Sequence, residues 1–165
     1  MRQKVSIAGL TIDPASNTPI ILLKTDEGEE TVPIWIGLLE ATAIAAALQN
    51  INFERPMTHD LFKNFVQTME MEVVKIEICD LKDNTFYALI YFASDSRVFS
   101  MDARPSDAIA IALRFDAPIY VDSTVIEKAR VNEPKAEMLD KSSTGKKWAE
   151  YLNDLSPEDF GKYKM

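Results

Sequence analysis

Apolar and polar positions alternate from the start of the chain. Val5 and Ile7, then Leu10 and Ile12, predict a first strand in which Gly9 marks a bulge or a close backbone approach. Asp13-Pro14-Ala15-Ser16-Asn17 reads as a turn. Pro19 to Lys24 predicts a second strand, Asp26-Glu27-Gly28 a hairpin turn, and Glu30 to Ile36 a third strand returning antiparallel. Gly37 breaks the alternation, and Leu38 to Gln49 carries five alanines, which suits a helix packed closely on a neighbour. After the connector Glu54-Arg55-Pro56-Met57, Thr58 is placed to cap a helix whose face is Leu61, Phe62, Phe65 and Met69. Val74, Ile76 and Ile78 alternate with Lys75, Glu77 and Cys79, predicting a half-exposed strand that turns over Asp80 to Asn84. Phe86 to Phe92 is apolar on both faces and predicts a central strand, and Arg97 to Asp102 a further one. Beyond the helix that follows, Ile119 to Val121 predicts a short strand and Ser123 to about Ala129 a short helix.

The most informative run joins a strand to that intervening helix: Asp102-Ala103-Arg104-Pro105-Ser106-Asp107, then Ala108 to Leu113 without a polar residue. Pro105 has its φ fixed near the helical value and no N–H to leave unpaired, so it belongs at the first helical position and pushes Arg104 toward extended geometry. Ser106 and Asp107 then fall in the first turn, where free N–H groups and the positive end of the helix dipole favour an acid or a bound anion. Helix-start chemistry and an Asp102–Arg104 ion pair account for the same residues without any activity. Glu40-Ala41-Thr42-Ala43-Ile44-Ala45 lines up with Asp107-Ala108-Ile109-Ala110-Ile111-Ala112, which puts an acid at the start of two alanine-rich helices.

At 165 residues and 47% hydrophobic content, the chain suits one globular domain with an appended tail. Composition turns polar from Arg130, so the domain is expected over 1–130 and a polar linker with a helical tail over 131–165, where Trp148, Tyr151 and Leu152 recur at helical spacing. No run approaches the roughly 18 apolar residues of a membrane span, and the opening residues alternate rather than form a signal-peptide block, so no membrane partner and a cytoplasmic location are expected. The lone Cys79 excludes an intramolecular disulfide and a cysteine-based zinc site, and its strand position suits a buried filler. The formal net charge of −8 argues against a broad electrostatic grip on nucleic acid, although carboxylates holding a divalent metal can still bring positive charge to a phosphodiester.

His59 is the only histidine and follows Arg55-Pro56-Met57-Thr58. It is the side chain best suited to proton transfer near neutral pH, and adjacent Asp60 need not face it, since sequence neighbours on a helix do not. One histidine excludes a His-rich zinc site, while a carboxylate site for Mg²⁺ or Mn²⁺ stays open through Glu40, Asp60, Asp102 and Asp107. There is no P-loop, dinucleotide glycine fingerprint or nucleophile elbow.

Three motifs together resemble the bifunctional nuclease domain family: Pro33-Ile34-Trp35-Ile36-Gly37 with Glu40-Ala41; Arg55-Pro56-Met57-Thr58-His59-Asp60-Leu61; and Asp102-Ala103-Arg104-Pro105-Ser106-Asp107-Ala108-Ile109-Ala110 followed by Pro118-Ile119. The resemblance covers about residues 1 to 130. It implies an α+β fold, mainly antiparallel sheet in a roll or partly closed barrel with packed helices, a homodimer, and nuclease activity on DNA and RNA. Carried over on the matching motifs, the catalytic candidates are His59, Asp60, Glu40, Asp102 and Asp107, the substrate-binding candidates are Arg55, Arg104 and Ser106, and the metal candidates are Glu40, Asp102 and Asp107, with Mg²⁺ or Mn²⁺ and no organic cofactor. Two functions follow. One is a metal-assisted phosphodiesterase in which His59 moves a proton and Arg55 or Arg104 stabilises charge on the phosphate. The other is a non-enzymatic regulatory module, a homo-oligomer holding a small anionic ligand behind Pro105. Convergence of Glu40, His59, Asp102 and Asp107 in one cleft favours the first; dispersal, or full use in buried ion pairs, favours the second.

Overall fold

Strands built on period-two alternation and helices rich in alanine make one layered α+β arrangement. The computed structural model describes residues 1–132. In chain order these form β1 (Arg2–Asp13), β2 (Thr18–Thr25), β3 (Thr31–Trp35), α1 (Leu38–Leu48), α2 (Thr58–Thr68), β4 (Glu72–Lys82), β5 (Thr85–Ala93), β6 (Val98–Ala103), α3 (Pro105–Phe115), β7 (Ile119–Asp122) and α4 (Ser123–Asn132). The expected tail, with Trp148, Tyr151 and Leu152, lies outside the described residues.

All seven strands share one sheet in the order β3-β2-β1-β7-β4-β5-β6. Neighbours are antiparallel except β4 and β7, which run parallel. The sheet is not closed: β3 and β6 are its two edges. Two local meanders, β1-β2-β3 and β4-β5-β6, are joined through β7, which pairs with Arg2–Val5 on one side and Ile76–Ile78 on the other. Gly9 sits at the bulge expected of it, where the β1–β2 register shifts between Ile7 and Gly9. Asp83 and Asn84 both take positive φ, the requirement of a two-residue hairpin turn. β4 therefore runs on to Lys82, and the turn is shorter than the expected Asp80 to Asn84.

One face of β5, Ala88, Ile90 and Phe92, is buried, while Tyr87 is exposed and Leu89 and Tyr91 are half-buried on the other. The expectation of a strand flanked on both sides holds, but its two faces differ. Phe92 stacks on Phe99 of β6 and meets the edge of Phe62 of α2, which seats α2 over this end of the sheet. α3 is the central helix: Ala108 to Ala112 are all buried, and Ile109 and Ile111 each contribute about 2–3 kcal/mol of apolar burial. Its alanines, with Ala41, Ala45 and Ala46 of α1, are small enough for the two helices to pack closely. α4 covers β4, β7 and β3, burying Val125, Ile126 and Ala129. Lys128 of α4 binds Asp80, and Arg130 pairs with Glu30 just before β3.

β4 departs from simple alternation. Register shifts between Val73 and Lys75 leave Val74 exposed, whereas Glu77 is 2% exposed. The Arg2 Nε donates to Glu77 Oε1 at 2.5 Å and the Tyr91 hydroxyl donates to Oε2 at 3.2 Å, so the buried carboxylate is charge-paired and hydrogen-bonded. Cys79 is half-buried and donates to the Tyr87 carbonyl at 3.6 Å; burial raises its thiol pKa, the opposite of an activated nucleophile.

Candidate active site

Three helices begin with the same device. Gly37, Met57 and Arg104 stand in extended backbone just before α1, α2 and α3, and the third helical residue in each is an acid: Glu40, Asp60 and Asp107. An acid there offsets the positive helix end, a contribution of about 0.3–1 kcal/mol each. In α2 the Asp60 carboxylate also accepts from the Met57 N–H at 3.1 Å, so Met57 rather than Thr58 occupies the cap position, and Thr58 is the first helical residue. The side chain that performs the capping comes from inside the helix, which is why a search for a polar cap residue lands one position late.

These helix starts are tied together. The Arg104 Nε donates to Asp107 Oδ2 at 2.9 Å, and its terminal Nη2 lies 2.9 Å from Glu40 Oε1, linking α3 to α1. Nε2 of His59 lies 3.0 Å from Asp107 Oδ1, linking α3 to α2. The result is a continuous line Glu40–Arg104–Asp107–His59 contributed by all three helices. His59 is largely enclosed, 16% exposed at its side chain, while Arg104 is 66% exposed. Burial pushes the Asp107 carboxyl up, but hydrogen bonds from Arg104 and His59 outweigh it and hold the group below the usual carboxylate range. The same bond raises the Arg104 pKa, with Glu40 adding to it. Gly37 is part of the arrangement: a Cβ there would run into the Glu40 carboxylate, which folds back over it.

A second arginine, Arg114 at the end of α3, braces the site from beneath. Its Nε donates to Asp60 Oδ1 at 2.7 Å, Nη1 to the Ala110 carbonyl at 2.8 Å and Nη2 to the Ala43 carbonyl at 3.2 Å. Asp60 is thereby engaged by Arg114 and its own helix cap rather than by His59. Arg114 has a side chain that is 7% exposed and belongs to none of the three sequence motifs; its signal is an arginine closing an otherwise apolar helix.

The other expected residues are distributed as follows. Ser106 is buried in the first turn of α3. Arg55 is exposed on the connector before α2 and makes no ion pair among the described residues. Asp102 does not join the line: in β6 Phe99 and Ala103 pack on the core, so by the two-residue period Asp102 projects from the opposite face of the sheet. Its expected ion pair with Arg104 is replaced by the Arg104 bonds to Asp107 and Glu40. The metal set Glu40, Asp102 and Asp107 is therefore not assembled, and among the described residues no group of three or more His, Cys, Asp or Glu side chains is placed to hold a metal ion. Glu40 and Asp107 are also already neutralised by Arg104. This arrangement does not fit a cation held by those three carboxylates.

Chemically, the line can hold one proton-transfer group and one cation in fixed relation. With Nε2 directed at Asp107, Nδ1 of His59, which has no hydrogen-bond partner among the described residues, is left to take or give a proton, the usual division of labour in an oriented imidazole. Arg104 still has N–H groups beyond those bound to Glu40 and Asp107, and these suit a phosphate oxygen.

The chain is similar in sequence to several known proteins. An uncharacterized protein of Mycobacterium tuberculosis is 35% identical over 162 residues, covering 95% of this chain and 97% of that protein. Bifunctional nuclease 1 of Oryza sativa is 29% identical over 116 residues, 68% of this chain but 35% of the rice protein. Bifunctional nuclease 1 of Arabidopsis thaliana is 29% identical over 128 residues, 70% of this chain and 39% of its own length. The chain thus spans little more than a third of these plant proteins. The family model described as the bifunctional nuclease domain matches residues 21–134, from β2 through α4 and including every member of the Glu40–Arg104–Asp107–His59 line, and the chain belongs to the bifunctional nuclease domain family.

Proposed function

We propose that the chain is a phosphodiesterase that hydrolyses DNA and RNA, with His59 as the proton-transfer group and Arg104 as the phosphate-binding cation. The observation that carries this reading is the His59–Asp107–Arg104 connection: an acid orients the histidine and positions the guanidinium at once. In the reaction His59 Nδ1 takes the proton of the attacking water or, acting in the other direction, protonates the leaving oxygen. Asp107 holds the ring in place and stabilises its charged form, and Arg104 offsets the charge that develops on the phosphate. Glu40 keeps Arg104 in position. The net charge of −8 is compatible with this because the proposed contacts are local.

Purified protein should cleave labelled single-stranded DNA and RNA with little sequence preference, and His59→Ala prepared identically should not. Parallel reactions with Mg²⁺, Mn²⁺ and chelator decide whether a divalent ion takes part. Equal rates for wild type and His59→Ala would sink the reading. The binding-module alternative draws on the separation of Asp102 from the line and on the engagement of Glu40 and Asp107 by Arg104, although these ion pairs are not buried. It predicts no turnover and a saturable anion.

We also propose that the chain works as a homodimer through α2, where Met57, Leu61, Phe65 and Met69 form an exposed apolar stripe at four-residue spacing. Sedimentation at micromolar concentration, repeated with Leu61→Glu/Phe65→Glu, tests it: a monomer in both cases contradicts the dimer.

A further inference from the structure

Beside the Glu40–Arg104–Asp107–His59 line lies a cleft of about 440 Å³, within the range of about 300–1,000 Å³ typical of small-ligand sites. Its floor is the start of α3, one wall is the end of β3, and the other is the β4–β5 hairpin. Arg104, shared with the line, is the only charged residue that borders it among the described residues. Trp35 and Phe86 supply aromatic surface, and Asn84 and Ser106 supply polar groups. Trp35 is 46% exposed, and its indole Nε1 donates to Asp13 Oδ2 at 3.0 Å, which fixes the ring.

Ser106 is the unusual member. It is 5% exposed, yet its hydroxyl has no hydrogen-bond partner among the described residues. Buried hydroxyls are almost always bonded, so an orphan one that borders a cleft calls for a ligand. The position reinforces the point. At the start of α3 the Ala108 N–H donates to the Arg104 carbonyl at 3.0 Å, whereas the N–H groups of Ser106 and Asp107 have no such intrahelical partner. A hydroxyl, two N–H groups without an intrahelical partner, a helix dipole and a guanidinium are the groups that phosphate sites use.

We propose that this cleft holds one nucleotide unit of the bound strand, its phosphate at the start of α3 on Ser106 and Arg104 and its base against Trp35 and Phe86. The strand context rests on the phosphodiesterase reading; the ligand chemistry of the cleft does not. Contact with the π-face of the base rather than its edges is tolerant of base identity and of the sugar. Through Arg104 the held nucleotide would be the neighbour of the one whose bond reacts at His59.

Titration calorimetry of the full chain with AMP, inorganic phosphate and adenosine tests the proposal. AMP should bind tightest, with each fragment about 10-fold weaker or more. Ser106→Ala should weaken AMP and phosphate about 10-fold and leave adenosine unchanged. Trp35→Ala should weaken AMP and adenosine about 10-fold and leave phosphate unchanged. Thermal melts establish that both variants fold. No saturable AMP binding, or AMP affinity indifferent to both substitutions, overturns the proposal. AMP binding with this pattern but no strand cleavage upholds the cleft and removes the phosphodiesterase reading; cleavage without AMP binding does the reverse.

Discussion

Nε2 of His59 and Oδ1 of Asp107 lie 3.0 Å apart although the residues are 48 positions apart in sequence. Because each stands in the first turn of its helix, the distance is set by how α2 and α3 pack and not by a flexible loop. If His59 transfers a proton, His59→Ala should lower turnover on the order of 10² to 10⁴-fold. Asp107→Asn, which keeps the shape and removes the charge, should lower kcat through His59 and raise KM through the loosened Arg104. Steady-state rates on a single-stranded substrate check both, and an unaltered kcat for Asp107→Asn would deny that residue an orienting role.

The two arginines of α3 should separate activity from stability. Arg104 is mostly exposed, so Arg104→Ala should cost no more than about 1 kcal/mol in urea melts while abolishing most cleavage. Arg114 is buried and serves Asp60 and two helix carbonyls, so Arg114→Ala should cost about 3 kcal/mol by leaving those acceptors unpaired. Similar melting midpoints for the two variants would contradict this division.

Gly37→Ala places a methyl group against the Glu40 carboxylate. Loss of about 1 kcal/mol is expected, the usual scale of a disturbed helix cap, together with weakened substrate binding as Arg104 loses its tether. The double variant Gly37→Ala/Glu40→Ala should recover part of the stability but none of the binding. Additive losses would show that the two positions are independent.

Acid should loosen both the site and the contact of α4 with β4. Hydrogen bonds from Lys128, then Lys82, hold the Asp80 carboxyl well below its ordinary range, and Asp107 is lowered by Arg104 and His59 against the effect of burial. Groups whose folded pKa is depressed contribute fully above their unfolded value, about 4, and lose that contribution as pH falls through the folded value. Melting temperature should therefore hold on the neutral side and drop below about pH 4. Asp80→Asn should start lower at neutral pH and fall less steeply on acidification; an identical slope would remove Asp80 from the account.

Much of this arrangement could be read from local sequence. Pro105 placed the start of α3 to the residue, and matching Glu40 with Asp107 anticipated two helices that begin alike and, in the structure, pack side by side. Residues that act through distant partners were harder to read. Burial of Glu77 depends on Arg2, 75 positions away, and on a bulge that turns its strand, neither of which alternation reveals. Asp102 is a simpler case: it is close to Arg104 in sequence, but the two-residue period of β6 sends it to the opposite face. The role of Arg114 is not legible locally, because its carbonyl partner at Ala43 lies 71 positions away on another helix.

The position of β7 has a consequence for how the chain reaches this structure. Its pairing with Arg2–Val5 joins segments more than a hundred residues apart, while β1-β2-β3 and β4-β5-β6 are each closed by short connections. Loop-closure entropy favours early formation of the two meanders and delays the seam between them. During synthesis the middle of the sheet stays unstitched until the ribosome has released α3 and β7, so the first strand waits with one edge bare for almost the whole domain. The helix that Arg104 caps and Asp107 belongs to leads directly into that closing strand, so on this order the step that completes the sheet also brings the Glu40–Arg104–Asp107–His59 line together.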